Sequence, residues 1–159
     1  MRSRIQADEV SPPGPAFDAV CELFDDYRAH YGERRSPAEV SAWLDAPCAA
    51  GRMRVVAAAV DCVPRGFVTT TAAPASLALG TAWLIRDLWV DPAHRRRGLA
   101  RRLVEEAIGA GRSAGARRIG LQTEVDNAPA LALYQELGFR RVTGLEVLGL
   151  DLEERADPA

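Results

Sequence analysis

Lysine is absent: all 20 basic residues among the 159 are arginine. Arginine presents a planar fork of donors that suits phosphate and carboxylate, so its placement along the chain carries information. Histidine occurs only at His30 and His94, and the three cysteines, Cys21, Cys48 and Cys62, are an odd number at wide spacing with no CxxC pair. That set fits neither a zinc site nor a disulfide framework, and it predicts no metal and reduced thiols in the cytoplasm. The first residues have no apolar core of the kind a secretory signal needs. The longest uncharged run, residues 66–85, is interrupted by four threonines, a serine, Pro74 and Gly80. Two strands and a turn account for it better than a membrane span. Strong charge of one sign is also missing, with 22 acidic residues giving a net charge of −2, which argues against a nucleic-acid-binding domain. A hydrophobic content of 48% over this length predicts one globular domain over residues 1–152, followed by a loose polar tail, 153–159.

Hydrophobic periodicity gives the order of elements. A short strand over residues 4–9 precedes the breaker Ser11-Pro12-Pro13-Gly14. Phe17, Val20, Cys21, Phe24 and Tyr27 then recur at helical spacing to about His30. Ser36-Pro37-Ala38-Glu39 reads as a capping box opening a second helix, with Val40, Trp43 and Leu44, that stops before Pro47. Residues 54–60 and 67–71 read as a hairpin turning at Val63-Pro64-Arg65-Gly66, and residues 81–90 as a further strand. Leu99, Leu103, Ala107 and Ile108 mark a helix over residues 97–113, with Arg101/Glu105 and Arg102/Glu106 pairs on its wet side. A strand over 118–125, a helix over 127–137 and a closing pair of strands, 139–143 and 145–152, complete the chain. The fold class is α/β (α+β): a mixed, mostly antiparallel sheet with helices on both faces. The closing strands are an exposed edge that a second copy would cover in a homodimer.

Chemistry concentrates after the strand ending at Val90. Asp91-Pro92-Ala93-His94-Arg95-Arg96-Arg97-Gly98-Leu99-Ala100 is a tight turn that opens a helix at once. Free amides and the helix dipole there suit an anion such as a pyrophosphate. Arg95-x-x-Gly98-x-Ala100 resembles the acetyl-CoA signature of the GCN5-related N-acetyltransferases, Arg/Gln-x-x-Gly-x-Gly/Ala. A second block, Asn127-x-x-Ala130-x-x-x-Tyr134-x-x-x-Gly138-Phe139, is similar to that family's asparagine, tyrosine and Leu-Gly-Phe segment. The resemblance covers residues 17–152. The stretch from Asp26 to Gly32, with Trp83 to Leu88, is similar to bacterial small-molecule acetyltransferases.

The resemblance implies an acyl-CoA N-acyltransferase fold whose sheet splays between its fourth and fifth strands. It also implies acetyl transfer from acetyl-CoA to a primary amine by direct attack in a ternary complex. On that footing Leu88 and Val90, with Trp89 between them, would run beside the pantetheine arm. Arg95, Arg96, Arg97, Gly98, Leu99, Ala100 and Arg101 would hold the pyrophosphate, Asn127 would touch pantetheine, and Tyr134 would face the thioester sulfur. Tyr134 is then the expected proton donor to the thiolate, since phenol titrates near ~10. The Val90 N–H is the expected oxyanion donor. Asp87 and Glu124 are alternative bases, with a pKa raised in a half-buried cleft; relatives often carry glutamate where this chain has Arg86. Tyr27, Tyr31, Glu33 and Asp87 are expected to line the acceptor pocket, together with Trp43 and the loop 71–81. An acyl-CoA-binding module without catalysis shares the cradle but needs neither Tyr134 nor a base.

Charge is segregated along the chain. Residues 86–118 hold nine arginines and four acids, a net of +5 that leaves −7 elsewhere. The basic stretch surrounds the expected cradle, and the acidic remainder suits a cationic amine. With no lysine, self-acylation is confined to the N-terminal amine.

Overall fold

The computed structural model describes residues 5–152. Arg4, the first residue of the expected opening strand, and the expected tail 153–159 lie outside the described residues. The chain forms β1 (Ile5–Val10), α1 (Pro15–His30), α2 (Pro37–Ala49), β2 (Arg54–Val60), β3 (Val63–Ala75), β4 (Gly80–Val90), α3 (Leu99–Ser113), β5 (Arg118–Gly120) and α4 (Ala128–Glu136). The sheet runs β1-β2-β3-β4-β5 in space. β1 to β4 are antiparallel, and β5 joins β4 in parallel after the α3 crossover.

Both faces of the sheet are covered, which explains why β2 reads as an unbroken Val/Ala run rather than an alternating one. Val55 and Ala57 pack under α1 and α2 with Phe17, Phe24, Leu44 and Phe67. Val56 and Ala58 face α3 with Leu99, Leu103 and Val104. α1 and α2 are tied by Asp25, whose buried carboxylate accepts the Ser36 amide at 2.9 Å and pairs with Arg28 and Arg35.

Several local expectations are corrected. Ser36 makes no side-chain cap, and its amide donates to Asp25. α2 continues through Pro47 to Ala49, where the Pro47 carbonyl accepts the Arg52 and Met53 amides at 2.8 and 3.1 Å. The hairpin turns at Asp61 and Cys62, both with positive φ (50° and 67°), as a two-residue reversal requires, and Pro64 lies within β3 beside a bulge. β3 extends to Ala75, so residues 71–75 are paired with β4 rather than forming a loop. Trp43, an expected pocket residue, is 56% exposed. Arg101 bridges to Glu136 of α4 instead of Glu105, whereas the Arg102–Glu106 pair forms at 2.7 Å. β5 is only three residues long, and residues 139–152 form no strand. The expected closing pair is therefore absent, and β5 is the open edge of the sheet.

Candidate active site

β4 creates the site by parting from β5. Its parallel pairing covers only Ala82 to Leu84, against Arg118 to Gly120. Immediately beyond, Thr70 pairs with Ile85 but Thr69 with Asp87, so Arg86 is the extra residue of a β-bulge. Past the bulge, the Asp91 amide donates to the Arg65 carbonyl at 2.8 Å. Antiparallel ladders alternate bonded and non-bonded pairs, so Trp89 and Asp87 are bonded to β3 and the main-chain groups of Leu88 and Val90 point away from it. They face the gap that β5 leaves. The Val90 carbonyl takes the Arg95 guanidinium Nε at 3.1 Å, which leaves the Val90 N–H as a donor directed into the gap.

The turn after β4 is held from behind. Asp91 accepts the Ala93 amide and meets the His94 ring, each at 3.0 Å, so His94 serves the turn. The Arg95 side chain lies 4.7 Å over the Trp89 ring, and its amide faces the Pro92 carbonyl. Arg95 therefore braces the turn. Arg96 and Gly98 adopt left-handed backbone, at φ 62° and 88°. The first α3 amide to find a backbone acceptor is that of Arg102, bonded to Gly98 at 3.0 Å. Among the described residues, the six amides from Arg96 to Arg101 have no backbone partner outside the elements, and an α-helix supplies none to its first turn. Alternating left-handed residues at a helix N-terminus make a concave anion site. Nothing within 4 Å occupies the side-chain position of Gly98, so the concavity is open.

Further back along β4, where Ile85, Arg86 and Leu88 line it, a cavity of about 500 Å³ gathers Tyr27, Tyr31, Glu124, Asn127 and Tyr134. α4 contributes Tyr134, 7% exposed and edge-on to Phe139. Burial, and then the Glu124 charge, push its phenol above the ordinary range, so it stays protonated. Glu124 is exposed and accepts the Tyr31 hydroxyl at 2.7 Å. That bond, with others from its own backbone, Asn127 and Thr123, outweighs desolvation and lowers its pKa, the reverse of the expected rise. Asn127 caps α4 by accepting the Ala130 amide at 3.4 Å. Burial and the neighbouring Asp87 carboxylate raise the Tyr27 hydroxyl strongly.

Several expected residues do not line this cavity, Val90 and Trp43 among them. Asp87 accepts the Thr69 hydroxyl on the α1 side of the sheet, next to Tyr27. Glu33 lies on the exposed loop after α1, its amide bonded to Arg28. Trp89 packs its ring against Tyr27 and His30, leaving its main chain to β3. Gln122 and Thr123 line the cavity without having been singled out in the sequence, and so does Arg86, noted there only as standing where relatives often carry glutamate. Arg86 does so because of the bulge, which no periodicity announces.

Comparison with known proteins places these features. The profile of the Acetyltransferase (GNAT) family matches residues 17–139. The uncharacterized N-acetyltransferase YhfO of Bacillus subtilis is 28% identical over 79% of this chain and 85% of its own length. The ribosomal protein bS18-alanine N-acetyltransferase of Escherichia coli is 41% identical over 57 residues, which is 36% of this chain. Such local matches span little of the relatives themselves, 38% of the E. coli enzyme and 15% of the Mycobacterium leprae protein ML0378. Among solved structures, a probable acetyltransferase superimposes with TM-score 0.84 at 24% identity, over 94% of this chain and 99% of the other.

Proposed function

The chain belongs to the GNAT acetyltransferase family and is an acyltransferase enzyme, and from that premise we propose that it moves the acetyl group of acetyl-CoA to a primary amine of a small cationic molecule. The observation that carries the donor assignment is the run of amides from Arg96 to Arg101 without backbone partners, next to the outward-facing main chain of Leu88 and Val90. The amide run suits a diphosphate. The open β4 edge suits the amide-bearing pantetheine arm, which it would pair in β fashion. Bound acetyl-CoA supplies the activated acyl thioester.

The chain's own groups supply the rest. The Val90 N–H donates to the carbonyl oxygen on which negative charge grows during amine attack. Tyr134, protonated throughout the neutral range, donates to the departing thiolate. Glu124 lines the cavity that Asp87 does not, and it remains a carboxylate to low pH. Its role is to hold the incoming ammonium, with Tyr27 and Tyr31 beside it, and to pass the ammonium proton to water before attack.

A panel of amines assayed by thiol release in the presence of acetyl-CoA tests this. Polyamines, aminoglycosides, amino acids and an alanine-initiated peptide make up its arms. Turnover with a small cationic amine is expected. Tight CoA binding with no turnover on any arm overturns the enzyme mechanism, and turnover on the peptide alone overturns the small-molecule acceptor.

A further inference from the structure

The acceptor cavity is lined by two charges of opposite sign. Of its lining residues, only Arg86 and Glu124 are ionised at neutral pH. β4 and β5 pair no further than Leu84 and Gly120, and the cavity opens beyond. Arg86 therefore stands on the β4 wall, and Glu124 on the segment that continues from β5. The backbone puts Arg86 there. Before the bulge, Trp83 lies against Gly111 of α3 and Ile85 packs with Leu103 and Val104; after it, Leu88 and Val90 take that face while Trp89 packs under α1. Arg86 is the residue across which the alternation changes face, and a bulge re-aims the side chain it carries.

Glu124 has a partner within the chain. The Tyr31 hydroxyl donates to it at 2.7 Å, and the carboxylate stays ionised to low pH. Arg86 has none: Arg28, Arg35, Arg54, Arg65, Arg101 and Arg102 each meet a carboxylate, but among the described residues no carboxylate meets the exposed Arg86. It is not placed for the donor's phosphates either. The amide run from Arg96 to Arg101 lies beyond Val90, and the strand from Arg86 to Val90 alone covers about 13 Å. Its surroundings reinforce its sign. A second, larger space that Arg86 also borders is lined by Arg112, Arg117, Arg118, Arg140 and Arg141, with Glu124 again the one acid. An unpaired guanidinium in a positive field is an anion site, and its planar fork matches the two oxygens of a carboxylate. The cavity, about 500 Å³, must also admit the thioester end of the donor, which leaves room for a molecule of amino-acid size.

We propose that the acceptor is a small amine that also carries a carboxylate, with Arg86 taking the carboxylate in a bidentate pair and Glu124, across the cavity, taking the ammonium. This rests on the acetyl-transfer reading above and narrows its cationic acceptor to the class of the basic amino acids, which keep a net positive charge while bearing an acid group. Tyr27 and Tyr31, edge to face at 5.3 Å, flank the carbon chain between the two ends.

Matched amines that differ by one carboxylate test it: putrescine against ornithine, cadaverine against lysine, and agmatine against arginine, each assayed by thiol release at saturating acetyl-CoA. In at least one pair, kcat/KM is expected to be about tenfold higher for the acid, the size of one charge-assisted bidentate contact at an exposed arginine. Arg86→Gln is expected to bring that ratio to about one, and Arg86→Glu to invert it in favour of the amine without the acid. Arg86 is exposed, so both variants are expected to keep native circular dichroism; should either not fold, the wild-type ratios decide. Wild-type ratios at or below one in every pair overturn the proposal and leave acetyl transfer standing, as does turnover confined to aminoglycosides. A preference for the acid that survives Arg86→Gln overturns the role of Arg86. Tight CoA binding with no turnover of any amine overturns the acetyl-transfer reading and the proposal together.

Discussion

Tyr134 combines burial, position on the cavity wall and a phenol that stays protonated. Tyr134→Phe keeps the ring packed on Phe139 and removes only the hydroxyl. We expect kcat to fall about 10²-fold with little change in KM for acetyl-CoA, the range for a lost proton donor; steady-state kinetics beside a melting curve check this. The Tyr31–Glu124 bond makes a second prediction. Because the hydroxyl holds the carboxylate below its ordinary value, Tyr31→Phe raises the Glu124 pKa, and the acidic limb of the kcat/KM profile moves to higher pH. The sign is that of a depressed carboxylate: its contribution is complete above the ordinary ~4.5 and is lost as pH falls below it. A limb that stays in place or moves down sinks the Glu124 assignment. Tyr134 and Asn127 were legible in the sequence because their spacing along one helix is a local pattern. The Tyr31–Glu124 contact spans 93 positions, and only the folded chain shows it.

At the scale of elements, the α3 N-terminus and the α1–α2 junction carry separable loads. Gly98 needs left-handed backbone but has open space where a side chain would go. Asn tolerates that conformation, so Gly98→Asn should retain the fold with a modest loss in acetyl-CoA affinity. Gly98→Glu places a carboxylate among the free amides and should abolish CoA binding, read by calorimetry, while circular dichroism remains native. At the junction, Asp25→Ala strands the Ser36 amide and two arginines, but Arg28 and Arg35 reach water, being 29% and 51% exposed. We expect a loss of about 2 kcal/mol, below the 3–5 of a fully buried pair, measurable by urea unfolding. Element type was legible through α4 because helical and strand periods are local properties. The termini were not: α2 runs past Pro47 and ends where the Pro47 carbonyl takes the Arg52 and Met53 amides, and the Val/Leu run after Gly144 has the composition of strands whose partner decides whether they form.

For the whole molecule, the two-faced sheet explains the composition: apolar runs without alternation mark strands covered by helices on both sides, and β2 is the clearest of them. Charge follows the same plan. The +5 segment over residues 86–118 includes the turn and first helical turn of α3, where Arg96 and Arg97 are exposed around the amide run. The amides fix where a diphosphate sits, and the arginines set the field through which it arrives. Exposed charges are screened as the Debye length contracts from ~10 Å at 0.1 M salt to ~3 Å at 1 M, whereas amide contacts at bonding distance are not. KM for acetyl-CoA should therefore rise about fivefold over that range with kcat nearly constant, an estimate that treats the arginines as a screened surface field. Arg97→Gln should reproduce part of the rise at low salt and flatten the remaining dependence. A KM indifferent to salt in both proteins would mean that the arginines serve solubility alone and that the backbone cradle recognises the donor unaided.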